Sequence, residues 1–365
     1  MLHFLWCDYY VSEESYKYYE SSNLEIAKWA EYYLNQKIAF HQSSWLAGKV
    51  TDRPDDILLG HITWDGRDTI DKSKNGKLFR NWVKDNALNS SNDCHPNTYI
   101  LMPWVSEFPS AWIDNMPYIE SQLLAGRKIF ALCGEIWIKR TLDKNDNSIQ
   151  SRVKDKLIHC NMGIAAQNLP VFKKKFNPIG ERQLLHISNL DVYKGFDITL
   201  QTLQNLDTIL HVASYDIDNP IGLIEVDLKV DLNPNKYVFN FIGSVDNRDL
   251  EFNNWVAENC DFYIHTARMD AQATTVLENC ARGLIPLITP ESGFSSPYAI
   301  YLTHDPVENQ KIVEWALNLP ESELLHRSEK LREQIFREHS WEGIFSNIWD
   351  EIVMDINQRK LNEPT

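Results

Sequence analysis

Short apolar runs punctuate the chain at 56–62 (DILLGHI), 98–103 (TYILMP), 128–133 (KIFALC) and 157–160 (LIHC). Runs of this length read as strands buried on both faces. Helical stretches are expected between them, around 77–86, 110–125 and 148–156. Ahead of them, 23–36 carries Leu24, Ile26, Ala27, Ala30 and Leu34 at helical spacing, with Ser21, Ser22 and Asn23 as cap candidates. Strands alternating with helices predict a parallel sheet covered on both sides.

The rhythm breaks at 172–180 (FKKKFNPIG), a basic stretch followed by Asn-Pro and Gly, which is turn and linker chemistry. It then restarts: QLLHIS, a helix from about 195 to 206, ILHVAS, YVFNFIG, a helix 249–259, DFYIHT, a helix 274–282, and LIPLIT. The pattern predicts an α/β protein of two Rossmann-like domains facing across a cleft. Their expected limits are 1–177 and 178–340, with a closing helix in 341–365. In open α/β sheets ligands bind at the carboxyl ends of strands, so the loops after these runs are the places to look.

The length of 365 residues fits two domains at roughly 100–200 residues each. At 43% hydrophobic and 24% charged the composition is globular, which excludes a disordered chain. The net charge of −15 excludes a general role in wrapping nucleic acid, which needs a basic footprint. No apolar run approaches the ~18 residues of a membrane helix, and the N-terminus lacks the basic start and cleavage pattern of a signal peptide. The six cysteines are scattered, with no CxxC pair and no zinc spacing, and read as buried thiols of a reducing cytoplasm. Lys173–Lys175 is the one patch suited to peripheral membrane contact, and the overall charge opposes it.

Two segments carry the chemistry. In HISNLDVYKGFDITLQTL (186–203) a strand ends at Ser188 and Lys194-Gly195 opens a helix. A lysine beside the free N–H groups and positive end of a helix suits a phosphate. In FYIHTARMDAQATTVLENCARGLIPLIT (262–289) a strand runs through a loop into a helix. Asp270 lies in the loop, Thr274 and Thr275 start the helix, and Glu278 sits within it. The helix start can hold an anion. Asp270 can accept from sugar hydroxyls and Glu278 from a ribose, because carboxylates are the strong acceptors that hydroxyl-rich ligands need.

Four features in order resemble the family-4 glycosyltransferases, retaining enzymes of the GT-B fold. KGFD (194–197) is similar to their phosphate-binding Lys-Gly, and NFIGSV (240–245) resembles their Phe-x-Gly-x-Val strand. Asp270 to Glu278 resembles their two acids separated by seven residues, and HSWEGIFSNIWDEIV (339–353) their closing Ser-Trp-Glu helix. The resemblance covers roughly 157–353 and implies the GT-B fold, with the closing helix in 341–365 returning to the first domain. It implies transfer of a sugar from a nucleotide-diphosphate donor to a hydroxyl of a saccharide or glycolipid, as in polysaccharide biosynthesis, with retention by front-face attack and no metal or other cofactor. Lys194 would neutralise the departing diphosphate, Asp270 would hold the donor sugar, Glu278 the ribose, and Thr274 and Thr275 the phosphates. The chain departs from the family at Asn189, where arginine is usual, at Asp270, where Glu is usual, and at Ala271, where Gly is usual. The glycine-rich loop often seen early in the first domain is also absent. Arg268, or else Arg282, could supply the missing charge, and Asn189 would then stand on the substrate side. Asp216 and Asp218 read as a loop and not as a metal site.

In the first half, HITWDG (61–66), PWVSEF (103–108) and CGEIW (133–137) follow predicted strands. His61, Asp65 and Glu135 are candidate bases for the acceptor hydroxyl, and Trp64 and Trp104 could stack on a sugar ring. His159 and Cys160 lack the supporting acid of a nucleophile pair. Two other readings stay open: a GT-B protein that binds sugar or nucleotide without catalysis, and a nucleotide-sugar epimerase.

Overall fold

The computed structural model describes residues 1–6, 25–42, 50–61, 95–102, 119–120, 122–133, 135–136, 149–166, 169–214, 238–246 and 249–362. The chain divides into two compact units, Met1–Gly163 with Trp341–Thr365, and Ile164–Ser340. Each contains a six-stranded, wholly parallel sheet.

The strands of the first unit are β1 (Leu2–Trp6), β2 (Ala39–Gln42), β3 (Ile57–His61), β4 (Thr98–Met102), β5 (Ile129–Leu132) and β6 (Ile158–Cys160). They lie in the order β2-β1-β3-β4-β5-β6. β4 and β5 are buried along their whole length, as the unbroken apolar runs TYILM and IFAL demand. Helix α1 (Glu25–Leu34) connects β1 to β2 and buries Ile26, Ala27 and Ala30, three of the positions its spacing predicted. Helix α2 (Ile149–Val153) leads toward β6. β1 and β2 were not foreseen. Each carries a histidine, His3 and His41, which breaks the apolar signature, and the two rings hydrogen-bond at 3.0 Å.

The second unit contains β7 (Gln183–Ile187), α3 (Phe196–Leu203), β8 (Ile209–Ala213), β9 (Val238–Gly243) and α4 (Leu250–Asn259). β10 (Phe262–His265), α5 (Thr274–Arg282), β11 (Ile285–Ile288) and β12 (Ile300–Tyr301) follow, then α6 (Pro306–Leu317) and α7 (Glu321–Glu338). Its sheet runs β12-β11-β10-β7-β8-β9. This is the doubly wound Rossmann order. The chain builds outward from β7 to β9, then returns to the other side of β7 with β10. Strand direction is common, so the connections leaving β7 and β10 diverge and open a crevice at their carboxyl ends.

Helix α8 (Trp341–Asn362) belongs to the first unit. Phe345 meets Tyr33 edge-on at 5.7 Å, Lys128 pairs with Glu351 at 2.9 Å, and the Tyr99 hydroxyl donates to Asp355 at 2.7 Å.

The boundary falls between 163 and 164, not near 178 as the linker-like composition suggested. The stretch after it is fastened to the second unit. Lys173 N donates to Arg282 O at 2.8 Å, and Phe176 N donates to Glu321 at 3.1 Å. The Lys173 ammonium is fully buried, 3.1 Å from an equally buried Asp261. Asp261 also accepts from Asn177 N at 2.9 Å and Gln183 N at 3.0 Å. Lys173 is therefore removed from any membrane-facing patch. Among the described residues no helix is long and apolar enough to cross a membrane. Cys133, Cys160, Cys260 and Cys280 are free thiols.

Removing one partner of a buried ion pair leaves the other charge uncompensated. Lys173→Met is expected to destabilise the protein by about 3–5 kcal/mol in urea unfolding, and a loss under about 1 kcal/mol would contradict this anchoring role.

Candidate nucleotide-sugar site

The loops leaving β7 and β10 are built against each other. After β7, the Asn189 amide donates to Asp191 at 2.6 Å and to the Tyr193 hydroxyl at 3.0 Å, closing a tight turn. A single 3-10 turn (Val192–Lys194) follows, then Gly195 at φ 71°, then α3. A Cβ at Gly195 would run into the Thr266 carbonyl just past β10. Gly195 thus meets both demands of this point, a left-handed backbone and close approach. Thr266 fastens the contact: its hydroxyl donates to Gly195 O at 2.6 Å and lies 2.7 Å from the Thr199 hydroxyl.

This approach delivers Lys194 to Asp270. Lys194 Nζ donates to Asp270 Oδ2 at 2.7 Å, with the two side chains 17% and 10% exposed. His265 Nε2 donates to the same oxygen at 3.2 Å, and Ala271 N donates to Oδ1 at 2.8 Å. The loop itself is pinned from behind, where Asp270 N donates to Glu291 O at 2.8 Å and Ala273 N to Ser292 O at 3.0 Å. Burial alone would raise the Asp270 carboxyl; the Lys194 charge and the His265 hydrogen bond outweigh it and hold the group well below the usual carboxylate range. Burial also lowers both histidines beneath the site, His265 and its neighbour His186, the latter to about 3, so both rings are neutral.

The N-terminus of α5 has the chemistry to receive an anion. Its cap residue is Ala273, with no side-chain cap. The Val276 and Leu277 amides turn back to Ala273 O at 3.0 and 3.3 Å. The amides of half-buried Thr274 and Thr275 have no acceptor among the described residues. Two free N–H groups at the positive end of a helix favour a phosphate. The Thr275 hydroxyl lies 2.7 Å from the Tyr263 hydroxyl, which also bonds Ile187 O at 2.9 Å, tying α5 to the end of β7. Burial pushes the Glu278 carboxyl up to about 7, against the pull of Arg282 one turn on.

The arginines expected to complete the charge are engaged elsewhere. Arg268 makes a two-pronged pair with Asp197, both contacts at 2.7 Å, and also donates to Val192 O at 2.6 Å. It braces the Lys194 turn. Arg282 is fully buried, donating to Asn253 at 2.5 Å and Asn279 at 3.0 Å. Asn189 is likewise committed to its own turn. His61 closes β3, its backbone paired with Leu101, and Glu135 is exposed just after β5; both belong to the first unit. Trp64, Asp65, Trp104, Asp216 and Asp218 lie outside the described residues. Among the described residues no cluster of three or more His, Cys, Asp or Glu side chains could hold a metal. Sequence reasoning missed His265, Tyr263 and Asp197. A histidine five positions before Asp270, at the end of an apolar run, was the available signal for the first.

No family model matches this sequence, and no curated protein matches it. Solved structures do match. Sucrose-phosphate synthase from Thermosynechococcus elongatus aligns over 98% of this chain and 99% of its own, at 9% identity and TM-score 0.60. The N-terminal domain of trehalose-6-phosphate phosphatase from Candida albicans aligns over 97% and 96%, at 14% identity and TM-score 0.57. WaaG, a glycosyltransferase involved in lipopolysaccharide biosynthesis, aligns over 96% and 99%, at 15% identity and TM-score 0.53. Likeness at these identities concerns architecture: the fold is that of the GT-B glycosyltransferases, built from two Rossmann-like units.

The Glu278 shift carries a sign. Its folded value, about 7, lies above the ordinary 4.5, so folding takes up a proton between these values. Stability attributable to this group therefore falls as pH rises through that window. Glu278→Gln is expected to stabilise the protein at pH 8 and to lose that advantage below pH 4.5. Thermal unfolding at both pH values checks this; an advantage independent of pH would contradict the assignment.

Proposed function

We propose that this chain is a retaining, metal-independent glycosyltransferase of the family-4 type. It moves a sugar from a nucleoside-diphosphate donor to a hydroxyl of a saccharide or glycolipid. The observation that carries this reading is the Lys194–Asp270 contact, four residues ahead of the open Thr274 and Thr275 amides, where the strand order reverses between β7 and β10. Such a crevice is where open α/β sheets bind ligands.

The residues divide the donor among them. The Thr274 and Thr275 amides and Lys194 take the diphosphate, Glu278 accepts from the ribose, and Asp270 accepts from hydroxyls of the sugar. Lys194 and Asp270 neutralise each other in the free protein. A diphosphate draws Lys194 away and opens Asp270 to the sugar. In the transfer step the bond from the anomeric carbon to the phosphate oxygen breaks. The acceptor oxygen bonds to that carbon from the same face, and its proton passes to the departing phosphate. Fixed charges aimed at the oxygen that gains charge lower this barrier without reorganising. Arg268 is a positioning residue in this account, acting through Asp197 and Val192 on the Lys194 turn.

One observation favours the second reading, a protein that binds donor without turning it over. Asn189 replaces the usual arginine, and Arg268 and Arg282 do not make up the charge.

Lys194→Ala should lower transfer, or donor hydrolysis, by about 10²–10³-fold or more with its circular dichroism unchanged. Glu278→Ala should chiefly weaken nucleotide binding. Wild-type turnover in the lysine variant would overturn the mechanism. A folded wild-type protein that binds donor but neither transfers nor hydrolyses it would select the non-catalytic reading.

A further inference from the structure

Asp270 Oδ2 accepts two hydrogen bonds of very different character. Lys194 arrives on a flexible stem that is 17% exposed and, on the function proposed above, must leave for the diphosphate. His265 closes strand β10 and is 1% exposed. We propose that His265 is a positioning residue for sugar transfer, its Nε2–H keeping Asp270 oriented and charged after Lys194 has moved to the phosphate.

The tautomer follows from the partners. A carboxylate oxygen only accepts, so Nε2 carries the proton. Nδ1 is then a bare acceptor, buried and without a hydrogen-bond partner among the described residues. No hydrogen bond among the described residues therefore holds the ring from its far side. Asp270 is what selects its tautomer. A second proton would sit on Nδ1 with no acceptor and would place a charge near Lys194. The ring therefore donates while remaining neutral.

The surroundings leave His265 as the fixed donor. His186, from β7, lies 5.9 Å away ring to ring. Its nitrogens are committed to Ile264 O at 2.9 Å and the Ser188 hydroxyl at 2.7 Å. Tyr263, on the same strand, bonds Ile187 O and the Thr275 hydroxyl. Glu278, from α5, is pushed up to about 7 by burial, and its charge acts on Arg282 and Tyr263. Once Lys194 departs, Ala271 N stays on Oδ1 and His265 stays on Oδ2. Without His265 the carboxylate would lose its fixed donor on Oδ2, its proton affinity would rise and its orientation toward the sugar would loosen.

The state after Lys194 leaves can be made by mutation, with no ligand. The Asp270 carboxyl is titrated by carbon-13 NMR in Lys194→Ala, alone and combined with His265→Phe or His265→Gln. The midpoint should rise by about one unit or more on adding His265→Phe. It should stay near the Lys194→Ala value with His265→Gln, whose amide still donates. An unchanged midpoint with His265→Phe, or an equal rise with both, overturns the proposal. Should the double variants fail to fold, nitrogen-15 NMR of the wild type decides: a neutral His265 protonated on Nε2 at pH 6 is expected, and an Nδ1–H or doubly protonated ring overturns it. In a Lys194-containing enzyme, His265→Phe should lower kcat about 10–100-fold with little change in donor KM, and His265→Gln should restore most of it. Wild-type protein without transfer would remove the functional reading, while the titrations would still judge the contact.

Discussion

Gly195 lies so close to the Thr266 carbonyl that no side chain fits between them, and the rest of the site is arranged around that approach. It joins the first turn after β7 to the first residues after β10, the two strands between which the sheet order reverses. Lys194 immediately precedes the contact on one side, and Asp270 follows four residues after it on the other. The two Thr hydroxyls at 2.7 Å and the Arg268–Asp197 pair keep the segments from separating. A backbone constraint thus fixes where two opposite charges meet.

The electrostatics resolve an apparent conflict. A chain with a net charge of −15 is a poor general partner for phosphate. In the proposed function the site draws on local sources of positive potential instead: one lysine and two helix amides. In the absence of a ligand the lysine is balanced by Asp270, which limits the cost of burying either. The neutral histidines beneath add hydrogen-bond donors without adding charge. The same arrangement makes the carboxylate an acceptor in waiting, because its two oxygens are already held by Ala271 N and His265.

Most of the fold was legible where strands are buried on both faces, since TYILM, IFAL, QLLHI and IPLI have no other reasonable use. Lys194, Asp270 and Thr274 could be singled out as candidates because they stand in the loops and at the helix start that follow strand ends, and Glu278 by its spacing from Asp270 within the helix. What was lost depends on distant partners. Lys173 looked like part of a linker because its partner, Asp261, is remote in sequence. Arg268 looked like a phosphate ligand because Asp270 is near in sequence, yet it pairs with Asp197, 71 positions away. His265 drew no notice because its run is apolar, and its contact with Asp270 exists only once the loop after β10 folds back over it.

The most direct test is calorimetric titration of the wild-type protein with UDP, GDP and ADP and with the matching monophosphates, in the presence of EDTA. The account predicts that one diphosphate binds without metal, that its monophosphate binds about tenfold more weakly or worse, and that Lys194→Ala erases the difference. Failure of all three diphosphates to bind, or binding that appears only when a divalent cation is restored, would contradict it.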